Sequence, residues 1–169
     1  MSDINVISRT QKIIVDAASS SVSVINAGPQ GLNGTIPNVI KNYVETAVAD
    51  TTITTTEEVQ IIGGSFTAVS TRYYRVTYYE PNLYGGGASN YMKLRIRSLN
   101  LTGTEHQMAT PGVGAVYSGA FVVSRVITGI SGTHNFVATA QSNSGTQQIN
   151  RSTSSPQYAY LLVEDLGTL

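Results

Sequence analysis

The chain has 169 residues, and its ten basic and ten acidic side chains give a net charge of zero. Charged residues make up only 12% of the sequence, so there is no charge excess for binding nucleic acid or an anionic membrane over a broad surface. Because cysteine is absent, disulfides and thiolate metal sites are excluded. No apolar run approaches the roughly 20 residues of a membrane-spanning helix. We therefore predict neither membrane insertion nor a nucleic-acid partner.

Residues 1–27 have the pattern of a small β segment. Residues 4–9 form a short alternating run, residues 13–15 are apolar, and Val22 and Val24 alternate with serines. Two or three strands of this length bury little apolar surface by themselves. The segment therefore needs a partner, which is either the rest of the chain or another protein.

The segment 28–36 begins with glycine at every third position, at Gly28, Gly31 and Gly34. Collagen requires this spacing because only glycine fits at the axis of its triple helix. Two Gly-X-Y triplets cannot hold a triple helix alone, and the same residues suit a turn-rich linker. We assign 28–36 as a Gly-X-Y-like linker and leave both interpretations open.

The residues that follow, 37–50, are predicted to form a short helix. Pro37 occupies the first turn, where its missing N–H costs nothing, and Thr35 can cap the helix. About 13 residues are too few for a helix to be stable alone in water. Its apolar seam therefore packs either on its own domain or on copies of itself. The seam, at spacings of four, three and four residues, consists of Ile36, Ile40, Tyr43 and Ala47.

The region 51–169 has the pattern of an antiparallel β domain. Roughly eight strands recur at about ten-residue spacing. They include residues 72–80 (RYYRVTYYE), 91–101 and 157–164 (QYAYLLVE). Such a series of strands predicts a β-sandwich or jelly roll. The predicted fold class is therefore mainly β, with a small N-terminal β segment, a short trimerising helix and a C-terminal antiparallel sandwich.

Motifs for catalysis are few. His106 and His134 fall in different predicted elements and lack the spacing of a zinc site. The sequence contains no GxSxG or SxxK nucleophile motif, and the glycines at 85–87 lack the Lys-Ser/Thr of a phosphate loop. Folding could bring together the acidic pairs 57–58 and 164–165 with other acids, which leaves a glycan-cleaving enzyme open. We predict no enzymatic activity, no cofactor and no metal.

Tyrosine supplies the strongest binding signal, because six tyrosines lie between residues 73 and 91. A tyrosine on a rigid sheet or loop offers a low-entropy surface to sugars or proteins. Tyr74 and Tyr78 fall on one side of their alternating strand and are predicted to pack inside a sheet. The candidate receptor contacts are Tyr79, Tyr84 and Tyr91.

The run SRTQKIIVDAASSSVSVINAGPQG, residues 8–31, resembles the opening of minor tail proteins of tailed phages that infect actinobacteria. Those proteins have an N-terminal β segment, Gly-X-Y repeats of variable length and a β-rich C-terminal domain. The closing YAYLLVEDLG, residues 158–167, resembles the end of such proteins. The collagen-like part is cut here to two triplets, so no long fibre is expected.

The resemblance implies a non-enzymatic virion protein that assembles as a homotrimer through the seam of the predicted helix. Its N-terminal segment would attach to other phage proteins, in the tail rather than the capsid, and its distal domain would contact a host-surface glycan or protein. A trimeric capsid decoration or head fibre is the alternative. The opening MSDINVISRT lacks a secretory signal, so synthesis in the host cytoplasm is expected. The residues assigned to attachment are Ile13, Ile14, Val15, Val22 and Val24.

Overall fold

The structure, a computed structural model, describes residues 6–8, 11–16, 21–25, 39–85, 90–113 and 119–168. The chain divides into two compact units, Met1–Pro37 and Asn38–Leu169. Within the described residues the regular secondary structure is entirely β, and the strands pair antiparallel. None of these residues forms a helix that could cross a membrane. The predicted mainly β fold is confirmed.

The first unit contains a three-stranded sheet, whose strands in spatial order are β1 (Val6–Ser8), β2 (Gln11–Asp16) and β3 (Ser21–Ile25). The register sets Ile13 opposite Val24 and Val15 opposite Val22. Because residues directly opposite each other share a face, these four positions lie on one face and Ile14 on the other. The predicted small β segment is confirmed, and its role in attachment stays a prediction.

The second unit forms fourteen strands within its described residues. They are β4 (Ile40–Thr46), β5 (Asp50–Ile53), β6 (Glu58–Ile62), β7 (Phe66–Ala68), β8 (Tyr73–Glu80), β9 (Leu83–Tyr84), β10 (Asn90–Ser98), β11 (Glu105–Ala109), β12 (Gly112–Val113), β13 (Phe121–Ile127), β14 (Gly132–His134), β15 (Phe136–Ser142), β16 (Gln147–Ile149) and β17 (Ala159–Gly167).

Eight of these strands build two main sheets, in the orders β13-β8-β17-β4 and β11-β10-β15-β6. Taken in chain order, the first of the eight pairs with the eighth, the second with the seventh, the third with the sixth and the fourth with the fifth. This nested pairing across two sheets is the topology of a jelly roll. The remaining strands form two smaller sheets, β5-β16-β9 and β14-β7, while β12 pairs with β10.

The core lies between the two main sheets, because inward and outward residues alternate along each strand. In β8, Tyr74, Val76 and Tyr78 are fully buried whereas Arg75 is exposed. The predicted packing of Tyr74 and Tyr78 inside a sheet is therefore confirmed. The largest fully buried apolar side chains are Tyr74, Tyr78, Phe136, Ile53, Leu83, Met92, Leu94, Ile96, Ile149 and Leu161.

A charged pair is enclosed together with this core. Arg151 binds both carboxylate oxygens of Glu80, and the Tyr78 hydroxyl donates a hydrogen bond to the same carboxylate. Burial raises the pKa of Glu80, although the arginine and the tyrosine both favour its charged form. An unpaired charge at this depth would be costly, so the three groups stabilise one another and fix the end of β8.

The predicted helix over 37–50 is wrong in the described part of that range, because Ile40–Thr46 is strand β4. This strand lies at the edge of a main sheet and pairs with β17, with Val44 opposite Leu161. Apolar side chains occur on both of its faces, so their spacing imitates that of a helix. Long-range pairing then overrides the local helical pattern. Residues 36–38 lie outside the described residues.

Asn42 anchors β4 to the facing sheet. Its Oδ1 accepts a hydrogen bond of 3.0 Å from the backbone N–H of Gly64, which follows β6. A Cβ atom on Gly64 would lie 2.3 Å from Asn42 Nδ2, so a larger residue there would displace the amide. Glycine at this position therefore permits the close approach of the edge strand.

Candidate functional site

The outward side of the sheet β13-β8-β17-β4 carries aromatic and aliphatic side chains together with a few polar and charged ones. Strand register aligns three rows across it, each with one residue from each strand. In the order β13, β8, β17 and β4, the rows are Val122, Tyr79, Tyr160 and Glu45, then Ser124, Thr77, Leu162 and Tyr43, then Val126, Arg75, Glu164 and Ile40. We call this surface the tyrosine face.

Three tyrosine rings cross the tyrosine face from β8 to β4. Tyr79 and Tyr160 stack with ring centroids 5.0 Å apart and an interplanar angle of 20°. Tyr43 belongs to the next register row, and its ring centroid lies 5.7 Å from that of Tyr160 at an interplanar angle of 37°. The alternation of β8 explains part of this arrangement, since it turns Tyr79 outward while its neighbour is buried. The result is an aromatic row that spans three strands.

Aliphatic side chains around these three tyrosines are exposed to solvent. Ile40, Val122 and Val126 belong to the tyrosine face, and Leu166 lies next to it on β17; these four side chains are 46–53% exposed, and Tyr43 is 50% exposed. Beside Val126 and Leu166 the surface dips into a shallow pocket, which is also lined by Tyr73. Exposed apolar side chains therefore lie on both edge strands, β4 and β13, and the partly exposed rings of Tyr160 and Tyr79 lie between them.

Polar groups on the tyrosine face are paired with one another. Arg75 donates to both oxygens of Glu164, at 2.7 and 2.9 Å, and this hydrogen bonding lowers the pKa of Glu164. The Tyr43 hydroxyl donates to Glu45 at 2.8 Å, which raises the pKa of that tyrosine. Within the three rows one positive and two negative side chains are present, so the surface has little net charge.

The opposite main sheet has a different outer surface, which we call the arginine face and define by Arg95, Arg97, Glu57, Glu105 and Thr139. Arg97 binds Glu57 through two nitrogens, at 2.6 and 2.9 Å, and reaches Glu105 at 3.0 Å. Arg95 Nε lies 3.0 Å from Glu105 Oε2. Burial raises the pKa of Glu57, but the hydrogen bonds from Arg97 and Thr139 and the charge of Arg95 outweigh burial and hold it below its ordinary value.

The acidic pairs that left a glycan-cleaving enzyme open are engaged in ion pairs and hydrogen bonds. Glu57 and Glu105 approach each other, but the guanidinium of Arg97 bridges them. Glu164 and Asp165 point to opposite faces of β17, where Glu164 binds an arginine and Asp165 binds Arg72. An inverting or retaining glycosidase needs two carboxylates that flank a sugar. Between Glu57 and Glu105 this position is taken by the guanidinium of Arg97.

The two histidines meet at one serine, which the sequence pattern did not reveal. Ser98 Oγ lies 2.6 Å from His106 Nε2 and 3.0 Å from His134 Nε2. Burial lowers the pKa of both imidazoles, and for His106 the charges of His134 and Arg125 lower it further. The Ser98 hydroxyl has one proton and can donate it to only one imidazole, so the other imidazole donates its N–H to the Ser98 oxygen. In the described part of the chain no group of three or more metal-binding side chains is found.

The three tyrosines predicted to contact a receptor do not lie on one surface. Tyr79 is part of the tyrosine face, whereas Tyr84 is on β9, opposite Gln148, and Tyr91 is the second residue of β10 on the other main sheet. Tyr160 was missed, although its alternation in QYAYLLVE could have indicated an outward position.

The residues assigned to oligomerisation do not form the predicted helical seam in the described part of the chain. Ile40 and Tyr43 lie on the outward side of a strand, Ala47 follows the end of β4, and Ile36 is outside the described residues. A helical seam through these positions is therefore wrong, because a strand separates alternate residues onto two faces. Their assignment to oligomerisation stays a prediction.

Comparisons with known proteins gave only distant likenesses. No protein-family model and no curated protein matches the chain. Among solved structures, the chain is similar to a chain of the disulfide-linked pili that form Bacillus endospore appendages, at 14% identity, 76% coverage of this chain, 90% coverage of that chain and a TM-score of 0.37. It is also similar to a carbohydrate-binding module of a Cellvibrio mixtus lichenase, solved with cellotriose, at 10% identity, 91% and 84% coverage and a TM-score of 0.34. At these TM-scores neither likeness bears on function.

Proposed function

We propose that this chain is a non-enzymatic structural protein of a tailed-phage virion, which attaches through residues 1–27 and contacts another surface through the tyrosine face. The observation that carries the proposal is the tyrosine face, where aromatic and aliphatic side chains remain exposed on a domain that already has its own core. Exposed apolar patches of this kind mark interaction sites. The resemblance of residues 8–31 to minor tail proteins supplies the virion context.

The division of the chain into two compact units supports separate roles for attachment and contact. The first unit contains a sheet of three short strands, which buries little by itself. The second unit has its own core. In this proposal the first unit binds a neighbouring virion protein, in the tail rather than the capsid. Assembly as a homotrimer is carried over from the resemblance.

The state of the carboxylates supports a role without catalysis. Glu57, Glu80, Glu164 and Asp165 each bind an arginine. A general acid or nucleophile must instead be available to the substrate. In this proposal these acidic side chains are structural partners of the arginines and not catalytic groups.

Lysine cross-linking of intact phage particles, followed by mass spectrometry, tests this proposal. The chain has three lysines, of which Lys12 is on β2 in the first unit, whereas Lys41 and Lys93 belong to the second. We expect Lys12 to cross-link to tail proteins and the other two lysines to serve as the matched control without such links. Cross-links from Lys12 to the capsid would favour a capsid decoration. Absence of the chain from purified particles would reject a virion role.

A further inference from the structure

We propose that Ser98, His106 and His134 form a pH-sensitive latch, which secures one end of the jelly roll near neutral pH and loosens on mild acidification. Three strands supply these residues, because Ser98 ends β10, His106 lies in β11 and His134 ends β14. Both imidazoles lie within hydrogen-bond distance of the one serine oxygen. The inference goes beyond the proposed function, since the latch uses neither the tyrosine face nor residues 1–27.

A β-bulge brings His106 to the latch. Glu105 and Gln107 pair with consecutive residues of β10, so His106 is the extra residue of β11 between them. An extra residue of this kind departs from the alternation of its strand and re-aims its side chain. The His106 and His134 rings both pack against the fully buried Phe136, with ring centroids 5.6 and 4.9 Å away. The latch therefore borders the core.

Two protons are enough to break the hydrogen bonds of the latch. With both rings neutral, the Ser98 hydroxyl donates to one imidazole and accepts the N–H of the other. The donating ring can take up a proton at its second nitrogen without changing these bonds. When the accepting ring is protonated it can only donate, so the Ser98 proton loses its acceptor. Because Ser98 is 6% exposed, water hardly replaces that acceptor.

The groups around the latch oppose positive charge. Burial lowers the pKa of both imidazoles, and the charges of His134 and of Arg125 on β13 lower that of His106 further. The neighbouring strands β7 and β15 contribute aromatic rings without charge. Glu105, next to His106 in the sequence, binds Arg97 on the arginine face instead. Among the residues that the structure describes, no carboxylate forms an ion pair with either imidazole.

The strand pair β14-β7 is the element that should respond. It consists of three residue pairs, from Gly132 opposite Ala68 to His134 opposite Phe66, and a two-stranded ribbon is only marginally stable by itself. Ser98 connects the end of this ribbon to β10. Loss of that connection should therefore increase local opening of β14-β7, while strands at the centre of a main sheet stay closed.

Linkage fixes the direction and the pH range of the effect. The folded chain holds both imidazole pKa values below their ordinary value of 6.5, so the unfolded chain binds more protons as the pH falls below 6.5. Stability therefore decreases from that pH downward. The carboxylates with lowered pKa values have ordinary values of 4.5 and 3.8, so they respond at lower pH. Glu80, whose pKa is raised, is present in every variant and cancels in comparisons between them.

NMR titration of the imidazole C–H signals in the full chain tests the charge states directly, because the chain has only two histidines. We expect both rings to titrate below pH 6.5. In His134→Gln the pKa of His106 should shift upward, since a neighbouring positive charge is removed. Lys93→Gln is the matched control, because it removes a positive charge from the outward side of β10 and should leave both imidazoles unchanged.

Hydrogen exchange at about pH 7.5 and about pH 5, expressed as protection factors to remove the intrinsic effect of pH on exchange, tests the opening. Acid should lower the protection of residues 66–68 and 132–134 about threefold or more relative to residues 73–80. In Ser98→Ala this protection should already be low near neutral pH. His134→Gln should show a smaller response to acid than the unmodified chain.

Titration of either imidazole at or above pH 6.5 would show that the folded chain accommodates the charge, and would overturn the inference. Equal protection of β14-β7 at both pH values, or an equal response to acid in His134→Gln, would also overturn it. If a variant does not fold, the titration and the exchange of the unmodified chain decide the matter.

Discussion

The two outer surfaces of the jelly roll differ in how their side chains find partners. On the arginine face, Arg95 and Arg97 form ion pairs with Glu57 and Glu105 within the chain, although Arg95 Nε and Nη1 make no hydrogen bond. On the tyrosine face, aliphatic and aromatic side chains such as Val122 and Tyr43 are about half exposed. The charged groups of the first surface are paired within the chain, whereas the second surface retains exposed apolar area that a partner could cover.

This difference indicates which surface is available for binding. Charged groups that are already paired must break good hydrogen bonds to accept a partner, which costs free energy. Exposed apolar surface gains free energy when it is covered, at about 25 cal/mol per Å². A partner therefore gains more from the tyrosine face than from the arginine face, although both cover similar sheets.

Acid should have the largest effect on stability, because it protonates the three carboxylates whose pKa values are lowered in the folded chain, Glu57 on the arginine face and Glu164 and Asp165 on β17. The folded chain holds the pKa of Glu57 below its ordinary value of 4.5, so the unfolded chain binds more protons in this range. The contribution of ionised Glu57 to the free energy of unfolding is complete above pH 4.5, and it is lost as the pH falls through the lowered pKa of the folded chain. Urea midpoints measured from neutral pH to about pH 3 should fall. Glu57→Gln should show a smaller fall, and an equal fall would contradict this assignment.

Removing one arginine from each face should show, at constant pH, how much the ion pairs of each face contribute to the free energy of unfolding. Arg97 and Arg75 each form two hydrogen bonds to one glutamate, but the Arg97 side chain is 16% exposed and that of Arg75 is 47% exposed. We expect Arg97→Ala to lower the free energy of unfolding by about 2 kcal/mol, since this largely buried guanidinium also donates to the Gly103 carbonyl and to Glu105, which all lose their donor.

The matched variant Arg75→Ala should cost less than about 1 kcal/mol, as for exposed ion pairs. Urea denaturation measures both losses. Equal losses in the two variants would show that burial does not distinguish the faces.

The fold was predictable from the sequence to the extent that alternation reports which side of a strand is buried. In RYYRVTYYE the alternation correctly buries Tyr74 and Tyr78. It fails for β4, where Ile40, Tyr43 and Val44 put apolar side chains on both sides of an edge strand and their spacing fits a helix.

The site was less predictable, because it depends on register between strands far apart in the sequence. Tyr79 and Tyr160 become neighbours only through the pairing of β8 with β17. The meeting of His106 and His134 at Ser98 has the same origin, since three separate strands supply the three residues. Composition and local spacing contain no information about such pairings.

Truncation of Tyr160 tests how much the stacked rings of the tyrosine face contribute to stability. Tyr160 packs between Tyr79 and Tyr43, and an aromatic pair contributes about 0.5 to 1.5 kcal/mol beyond its buried area. We expect Tyr160→Ala to lower the free energy of unfolding by about 1 to 1.5 kcal/mol on this basis. Tyr160→Phe should cost little, because the rings still stack. A similar loss in both variants would assign the stabilisation to the hydroxyl instead.

The smallest effect is expected at the exposed end of the edge strand. Ile40 is 53% exposed and lies opposite Glu164, so Ile40→Asp should change the free energy of unfolding by no more than about 0.5 to 1 kcal/mol. Because Ile40 lies on a strand and not on the helical seam through which assembly was predicted, sedimentation of the variant should match that of the unmodified chain. Conversion of an oligomer to monomers by this one substitution would assign the tyrosine face to contact between copies. Ser124→Ala, on the same surface, is the neutral control, because it removes a hydroxyl without placing a charge there.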